Sequence, residues 1–274
     1  MSQDLTSKEM NLLSKGDYQE IDKKFPKEKI NSFHQKKKTT PIFQVLMNNR
    51  SFEIIKLVIS KGADLNLCNG QNYTPLHYAC QENFPRKVIE LFLENGSQVN
   101  RQIESLKWTA LHFACSVRCD HSVIDLLLLK GASPLLLDCN NKTPIHLHCS
   151  DYPKINSLKR LFSVLSEEQI SDVINLKDLH GFSMLHLVCR SCPQNELLSY
   201  LIGLGADCSL KNDKGYTPLH YLAMNKDGYV GGSLKLFSIS LDYLKNNFQP
   251  ILEIAKENSN DTFLIDYQEI VSQN

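Results

Sequence analysis

Apolar residues recur along this chain in short bursts of helical period, each cut by a polar turn. In "TPLHYACQEN", Leu76, Ala79 and Cys80 fall at i, i+3 and i+4, which places them on one face of a short helix. A polar turn follows, then a second amphipathic run, "RKVIELFLENG", which Gly96 can end in the left-handed conformation. Gly62, Gly131 and Gly205 are the corresponding stops. After each comes an extended polar segment such as "ADLNLCNGQNY" or "ADCSLKNDKGY", with Asn72, Asn141, Gly181 or Gly215 two residues before the next burst, where a turn wants positive φ.

The bursts share an opening. "TPIF" at Thr40, "TPLH" at Thr74, "TALH" at Thr109, "TPIH" at Thr143, "SMLH" at Ser183 and "TPLH" at Thr217 start 34, 35, 34, 40 and 34 residues apart. The hydroxyl residue suits an N-cap, and proline next to it has a helical φ and no donor to waste. The period predicts stacked helix-turn-helix units joined by projecting loops.

The segments "TPLHYAC", "TALHFAC", "TPIHLHC", "SMLHLVC" and "TPLHYLA", with "GADLN", "GSQVN", "GASPL" and "GADCS" downstream, resemble the ankyrin repeat. The resemblance implies an all-α solenoid of stacked helix-turn-helix ankyrin repeats with projecting β-hairpin loops. The expected organisation is a degenerate N-terminal capping repeat over 1–36, five repeats over 37–213, an enlarged sixth over 214–258, and a C-terminal cap or truncated repeat over 259–274. The fourth copy carries about six extra residues around "DYPKINSLKRLFSVLSEEQ" and lacks the glycine stop. In the sixth, "MNKDGYVGGS" reads as an enlarged loop and "SLKLFSISLDYLKNN" as a long second helix.

Thirty basic residues balance thirty acidic ones, so no global field steers the chain toward nucleic acid or an anionic membrane. The opening thirty residues are too often charged for a secretory signal, and runs such as "VIDLLLL" are far shorter than the roughly 20 residues of a spanning helix. Nine cysteines at irregular spacing fit reduced thiols in a cytosolic or nuclear protein. Lys36, Lys37 and Lys38, with Lys27 and Lys29 nearby, form a basic spot. It is either a solvated edge or a contact for an acidic partner or nucleic acid.

Zinc is the other chemistry to weigh, because "TALHFACSVRCDH" holds His112, Cys115, Cys119 and His121, and zinc prefers such ligands. His146, His148 and Cys149, and His186, Cys189 and Cys192, make two similar clusters. Register argues otherwise: Cys80, Cys115, Cys149 and Cys189 share a position that Ala223 fills in the last copy, which asks for a small apolar side chain. His77, His112, His146, His186 and His220 also share one position, and the resemblance implies that this imidazole bonds backbone of the adjoining repeat. No metal, cofactor or small-molecule substrate is therefore expected, and a metal-responsive or redox-sensing protein is the alternative reading. No phosphate loop, nucleophile elbow or H-E-x-x-H is present, so no enzyme is expected.

The resemblance places partner binding on the hairpins and first-helix edges. The residues just before the motifs are Thr39, Tyr73, Trp108, Lys142, Phe182 and Tyr216, four of them aromatic. Aromatics are enriched at interface hot spots, yet each ring can instead pack on the next loop and stiffen the row. Tyr73, Trp108, Phe182 and Tyr216, with Ile103 and Leu106 in the longer loop before Trp108, are the candidate contacts of a monomer with a protein partner. Asn66, Asn100 and Asn175 hold the loop position that the resemblance associates with asparaginyl hydroxylation.

Overall fold

The computed structural model describes residues 5–48, 51–117, 120–151, 153–225, 230–237 and 248–272. Among them lie sixteen α-helices and two 3-10 segments, and the backbone pairs as β structure only at an isolated antiparallel bridge between His34 and Thr39. The chain divides into two compact units, Met1–Ser133 and Pro134–Asn274.

In the first unit the helices come in pairs: α1 (Ser7–Lys15) and α2 (Tyr18–Lys24), α3 (Pro41–Asn48) and α4 (Phe52–Ser60), α5 (Pro75–Gln81) and α6 (Arg86–Glu94), α7 (Ala110–Ser116) and α8 (His121–Leu129). First helices pack in one layer, α1 on α3, α3 on α5 and α5 on α7; second helices form the other, α2 on α4, α4 on α6 and α6 on α8. The core lies between the layers and is filled by side chains such as Leu13, Phe43, Ile55 and Phe92. α1 and α2 thus occupy a full repeat's place, with their own caps at Thr6 and Asp17.

The second unit contains α9 (Pro144–Ser150), α10 (Ile155–Ser163), α11 (Glu167–Ile174), α12 (Met184–Ser191), α13 (Asn195–Gly203), α14 (Pro218–Met224), α15 (Gln249–Glu257) and α16 (Asp261–Ser272). α9, α12, α14 and α15 pack successively as its inner layer. The extra residues of the fourth copy form a helix of their own, α11, which Ser166 caps with a hydroxyl that accepts from the Gln169 amide at 3.2 Å. The chain reaches Asn175 and the next loop without a glycine stop because this helix replaces the tight turn.

The sixth copy also departs from expectation. The segment Ser233–Phe237 is a 3-10 helix packed on α13 and α16, and the rest of the long second helix expected there, with Gly228 of the enlarged loop, lies outside the described residues. α15 and α16 pack on each other across the boundary expected at 259, so the last helix pair runs from Gln249 to Ser272.

One repeated device fixes the loops, here termed fingers. The side-chain oxygens of Asn69, Asp138, Asp178 and Asn212 each accept from two backbone amides, those two and four residues on, at 2.7–3.1 Å. Neighbouring fingers then touch: Gly70 N donates to Lys38 O at 2.7 Å, Leu179 N to Asn140 O at 3.0 Å, and Asp213 N to His180 O at 3.2 Å. Gly181 sits at such a contact with φ +77°, and a Cβ there would stand 2.8 Å from Asn212 Cα and Asp213 N. Gly215 has nearly the same φ, +78°, with open space around it. Gly215→Ala is therefore expected to cost only the left-handed backbone penalty, about 1 kcal/mol. Gly181→Ala adds a clash with rigid backbone and should cost roughly 2–3 kcal/mol; equal losses in urea denaturation would contradict the contact.

Candidate functional site

Five inner helices, α5, α7, α9, α12 and α14, open on a cap built from two side chains. Thr74 N donates to His77 Nδ1 at 3.2 Å, the two side chains meet at 2.9 Å, and His77 N donates back to Thr74 Oγ1 at 3.4 Å. This is a capping box in which imidazole replaces the usual Glu or Gln. Thr109 with His112, Thr143 with His146, Ser183 with His186 and Thr217 with His220 repeat the backbone-to-Nδ1 bond at 3.1–3.3 Å. Because Nδ1 accepts, Nε2 carries the proton, and it donates to Arg101 O from His77 at 2.8 Å, to Leu176 O from His146 and to Tyr216 O from His186, both at 3.0 Å. Each of these carbonyls belongs to the following finger, so one ring caps its own helix and holds the next loop.

Asparagines tie the other ends of the fingers. Asn31, Asn66, Asn100 and Asn175 donate from Nδ2 to the carbonyls of Gly62, Gly96, Gly131 and Gly205 at 2.8–3.0 Å. Their Oδ1 atoms accept from Asp64 N, Gln98 N, Ser133 N and Asp207 N at 2.7–2.9 Å. The asparagines singled out in sequence are thus bracketed clamps, and Leu135 stands at the same place in the fourth copy.

The thiols and imidazoles of the three clusters have structural surroundings. Cys80, Cys115, Cys149 and Cys189 are buried, and burial pushes the thiols of Cys149 and Cys189 far up, away from the reactive thiolate. Cys192 is also raised by burial. His148 Nε2 accepts from Lys154 N at 3.2 Å, which closes the turn after α9. Cys119 lies outside the described residues. Among the described residues no group of three or more His, Cys, Asp or Glu side chains is placed to hold a metal.

The four aromatic candidates are half-buried, and each lies on another ring. In the first unit Tyr73 and Trp108 both rest edge-on against Phe113, with centroids at 5.4 and 4.9 Å, and Trp108 stacks along His112. In the second unit Phe182 and Tyr216 lie on Tyr221 at 5.2 and 6.1 Å, Tyr216 stacks on His220 at 5.1 Å, and the guanidinium of Arg190 sits 4.9 Å over Phe182. The two platforms follow one plan: an inner-helix aromatic four residues after the motif's start is the floor, and the rings of its own finger and the preceding one stand on it. Packing and exposure therefore coexist, since the floor is nearly buried while the finger rings keep open faces. Sequence reading missed Phe113, Tyr221 and Arg190; "HF" and "HY" directly after the motif were the available signal.

Ile103 requires a correction. It is only 1% exposed and stands where four of the other fingers carry Asn or Asp, so it is not available to a partner. That finger is one residue longer than those four and closes by backbone alone, Ile103 N donating to Trp108 O at 2.9 Å and Lys107 N to Ile103 O at 3.0 Å. Leu106, at its tip, is 37% exposed. Lys29, expected in the basic spot, is paired with Glu9 at 2.9 Å, whereas Lys36, Lys37 and Lys38 are exposed on the first finger.

Burial drives His77 down to about 4 and also lowers His146, His186 and His220. A histidine depressed in the folded state takes up its proton more readily when unfolded. The fold is then fully stable above the unfolded value of about 6.5 and loses stability as pH falls from there toward 4, by about 1.4 kcal/mol per pH unit for each such ring inside its window. Urea midpoints should be flat from pH 7 to 8 and fall steeply from 6.5 to 4.5. His77→Gln should lower stability at pH 7.5 and shallow that slope; an unchanged slope would contradict the assignment.

The comparisons with known proteins agree with this geometry. Profiles described as ankyrin repeats match residues 11–103, as three copies, and 106–139. The human transient receptor potential cation channel subfamily A member 1 is 27% identical over 194 residues, covering 70% of this chain and 16% of its own length. The NAD-dependent deacetylase sir2B of Dictyostelium discoideum is 28% identical over 263 residues, covering 84% of this chain and 32% of its own. The chain thus spans a third or less of these relatives. Among solved structures, the ankyrin repeat domain of Bcl-3, an IkappaB family protein, superposes with TM-score 0.61 at 19% identity over 79% of this chain and 94% of that one. A chain from the Bd0816 predatory endopeptidase of Bdellovibrio bacteriovorus in complex with immunity protein Bd3460 gives 0.55 at 22% identity, over 68% and 90%. Ankyrin repeats are generally scaffolds for protein interaction rather than catalysts, and no helix among the described residues is long and apolar enough to cross a membrane. The repeated Thr–His caps, the paired helix layers and the profile matches between residues 11 and 139 identify this chain as an ankyrin repeat protein.

Proposed function

We propose that the chain is a non-enzymatic module that binds a protein partner through the exposed faces of its fingers and the adjoining edges of the inner helices. The observation that carries this reading is the pair of aromatic platforms. Tyr73 and Trp108 over Phe113, and Phe182 and Tyr216 over Tyr221, leave large rings half in water on loops that hydrogen bonds already hold without them. Rings with few rotamers, fixed from below and open above, bind at low entropic cost. Arg190 adds a guanidinium beside the second platform, suited to pairing with a partner carboxylate flanked by apolar groups.

The test is partner capture with the intact chain. Leu106→Glu sets a charge beside the first platform at an exposed tip and leaves the core untouched, and Trp108→Ala removes a ring. Both should reduce recovery of co-purifying protein at least tenfold while the helical circular dichroism stays unchanged. Full recovery by both folded variants would remove the first platform from the binding face, and the pair Phe182→Ala and Arg190→Glu asks the same of the second.

A further inference from the structure

We infer that the first finger, Lys36 to Lys38, is a docking point for an acidic stretch of the partner, next to the apolar anchor that the Tyr73–Trp108 platform receives. This rests on the protein-binding reading above and specifies the chemistry of what is bound. Three consecutive lysines are exposed at the tip of a loop that is pinned from both sides: His34 N donates to Thr39 O at 2.8 Å, and Lys37 N donates to His34 Nδ1 at 3.1 Å. A flexible basic run has no need of such anchoring.

The backbone carries a second signal. Lys38 has φ +48° at the finger position where Asn72, Asn141, Gly181 and Gly215 supply residues that tolerate positive φ, and Lys107, with φ +59°, does the same on the third finger. Lysine has no intrinsic reason to be in the left-handed region, so both of these fingers keep a cation at the tip at a conformational cost, and the first finger is distinguished by carrying two more lysines beside it. Lys38 is also placed: its stem lies across Gly70 of the second finger, where a Cβ would collide with Lys38 Cβ and stand 2.9 Å from its Cδ. That glycine makes a bed for the lysine stem on the finger that ends in Tyr73.

The second finger carries an exposed carboxylate at its start, Asp64, and the third carries Glu104, whose carboxylate accepts from Asn72 Nδ2 at 2.7 Å. The third finger sets exposed Arg101 and Lys107 beside Glu104, Leu106 and Trp108, so the denser positive end is the first finger, with three exposed lysines in succession, and the end bearing the apolar anchor is the third. Two repeat steps separate them, about 20 Å at ordinary helix spacing, which six or so residues of extended chain would span. Three ammonium groups within one turn, inside a Debye length of about 8 Å, act together on a run of carboxylates. A nucleic-acid strand offers the same charge and bases that can stack on the rings, but its charge repeats at every nucleotide along the row. Three cations grouped on one finger match a short acidic stretch followed by apolar residues, and an oligonucleotide probe tests the other case.

The experiment uses the full chain and labelled peptides of about twelve residues, read by fluorescence anisotropy. One peptide carries four Asp or Glu residues, a spacer of about five, and a Leu-Phe pair; its control has Asn and Gln for the acids; a single-stranded oligonucleotide of about 20 nucleotides is the third probe. The acidic peptide should bind at least tenfold tighter than its amide control, and Lys36→Glu/Lys37→Glu/Lys38→Glu should abolish that difference. Equal binding of the two peptides, an unchanged affinity in the triple variant, tighter binding of the oligonucleotide, or binding of neither peptide would overturn the proposal. If both peptides bind equally and both weaken with Leu106→Glu, the platform reading survives and the acidic docking point falls. If charge reversal abolishes binding and Leu106→Glu does not alter it, the docking point stands and the platform is not its neighbour.

Discussion

An imidazole ring offers two nitrogens, and this chain commits Nδ1 in the same way at five positions. Nδ1 of His77, His112, His146, His186 and His220 accepts the first free amide of an inner helix, which leaves the proton on Nε2. Where that proton reaches a carbonyl of the next finger, as from His77, His146 and His186, a local helix cap and a contact between repeats become one interaction. It works only with a neutral ring, because protonation would put a donor against a donor at Nδ1. Burial supplies the neutrality by holding these rings below their ordinary range.

The remaining features follow from fingers held in this way. The buried Asn or Asp in four fingers can satisfy two amides because the loop's ends are already fixed, and the asparagine clamps join each finger's start to the glycine carbonyl of the following repeat. Rings at the finger bases then have a floor in Phe113 or Tyr221, and Tyr221 doubles as a fixing point by accepting from Asn212 Nδ2 at 2.8 Å. The exposed faces that a partner would meet are thus the outer side of a hydrogen-bonded frame, and their positions are set by backbone rather than by the rings themselves.

Much of this was legible because a repeat states its rule several times. The caps, helix pairs, core cysteines and fingers follow from register, and register also separates a core thiol such as Cys115 from a metal ligand. What was not legible lay where the rule is broken or where one residue serves two purposes. The extra residues after α10 fold as α11 because Ser166 and Gln169 cap a new helix, a signal masked by the expectation of a glycine stop. Ile103 looked like a surface anchor by its neighbours, yet it takes the buried place of an Asn or Asp. Phe113 and Tyr221 were not singled out in sequence and prove to be the floors of the exposed rings, a relation between adjacent repeats that no single window of sequence displays.

The most direct measurement of the central claim is the tautomer and charge of these histidines, read from the ring nitrogen-15 shifts in long-range proton–nitrogen correlation spectra. His77, His146 and His186 are expected to be neutral and protonated on Nε2 at pH 6, half a unit below the ordinary histidine value, where free histidine added as a reference is largely charged. Spectra placing the proton on Nδ1, or showing these rings as imidazolium at that pH with the fold intact, would contradict it.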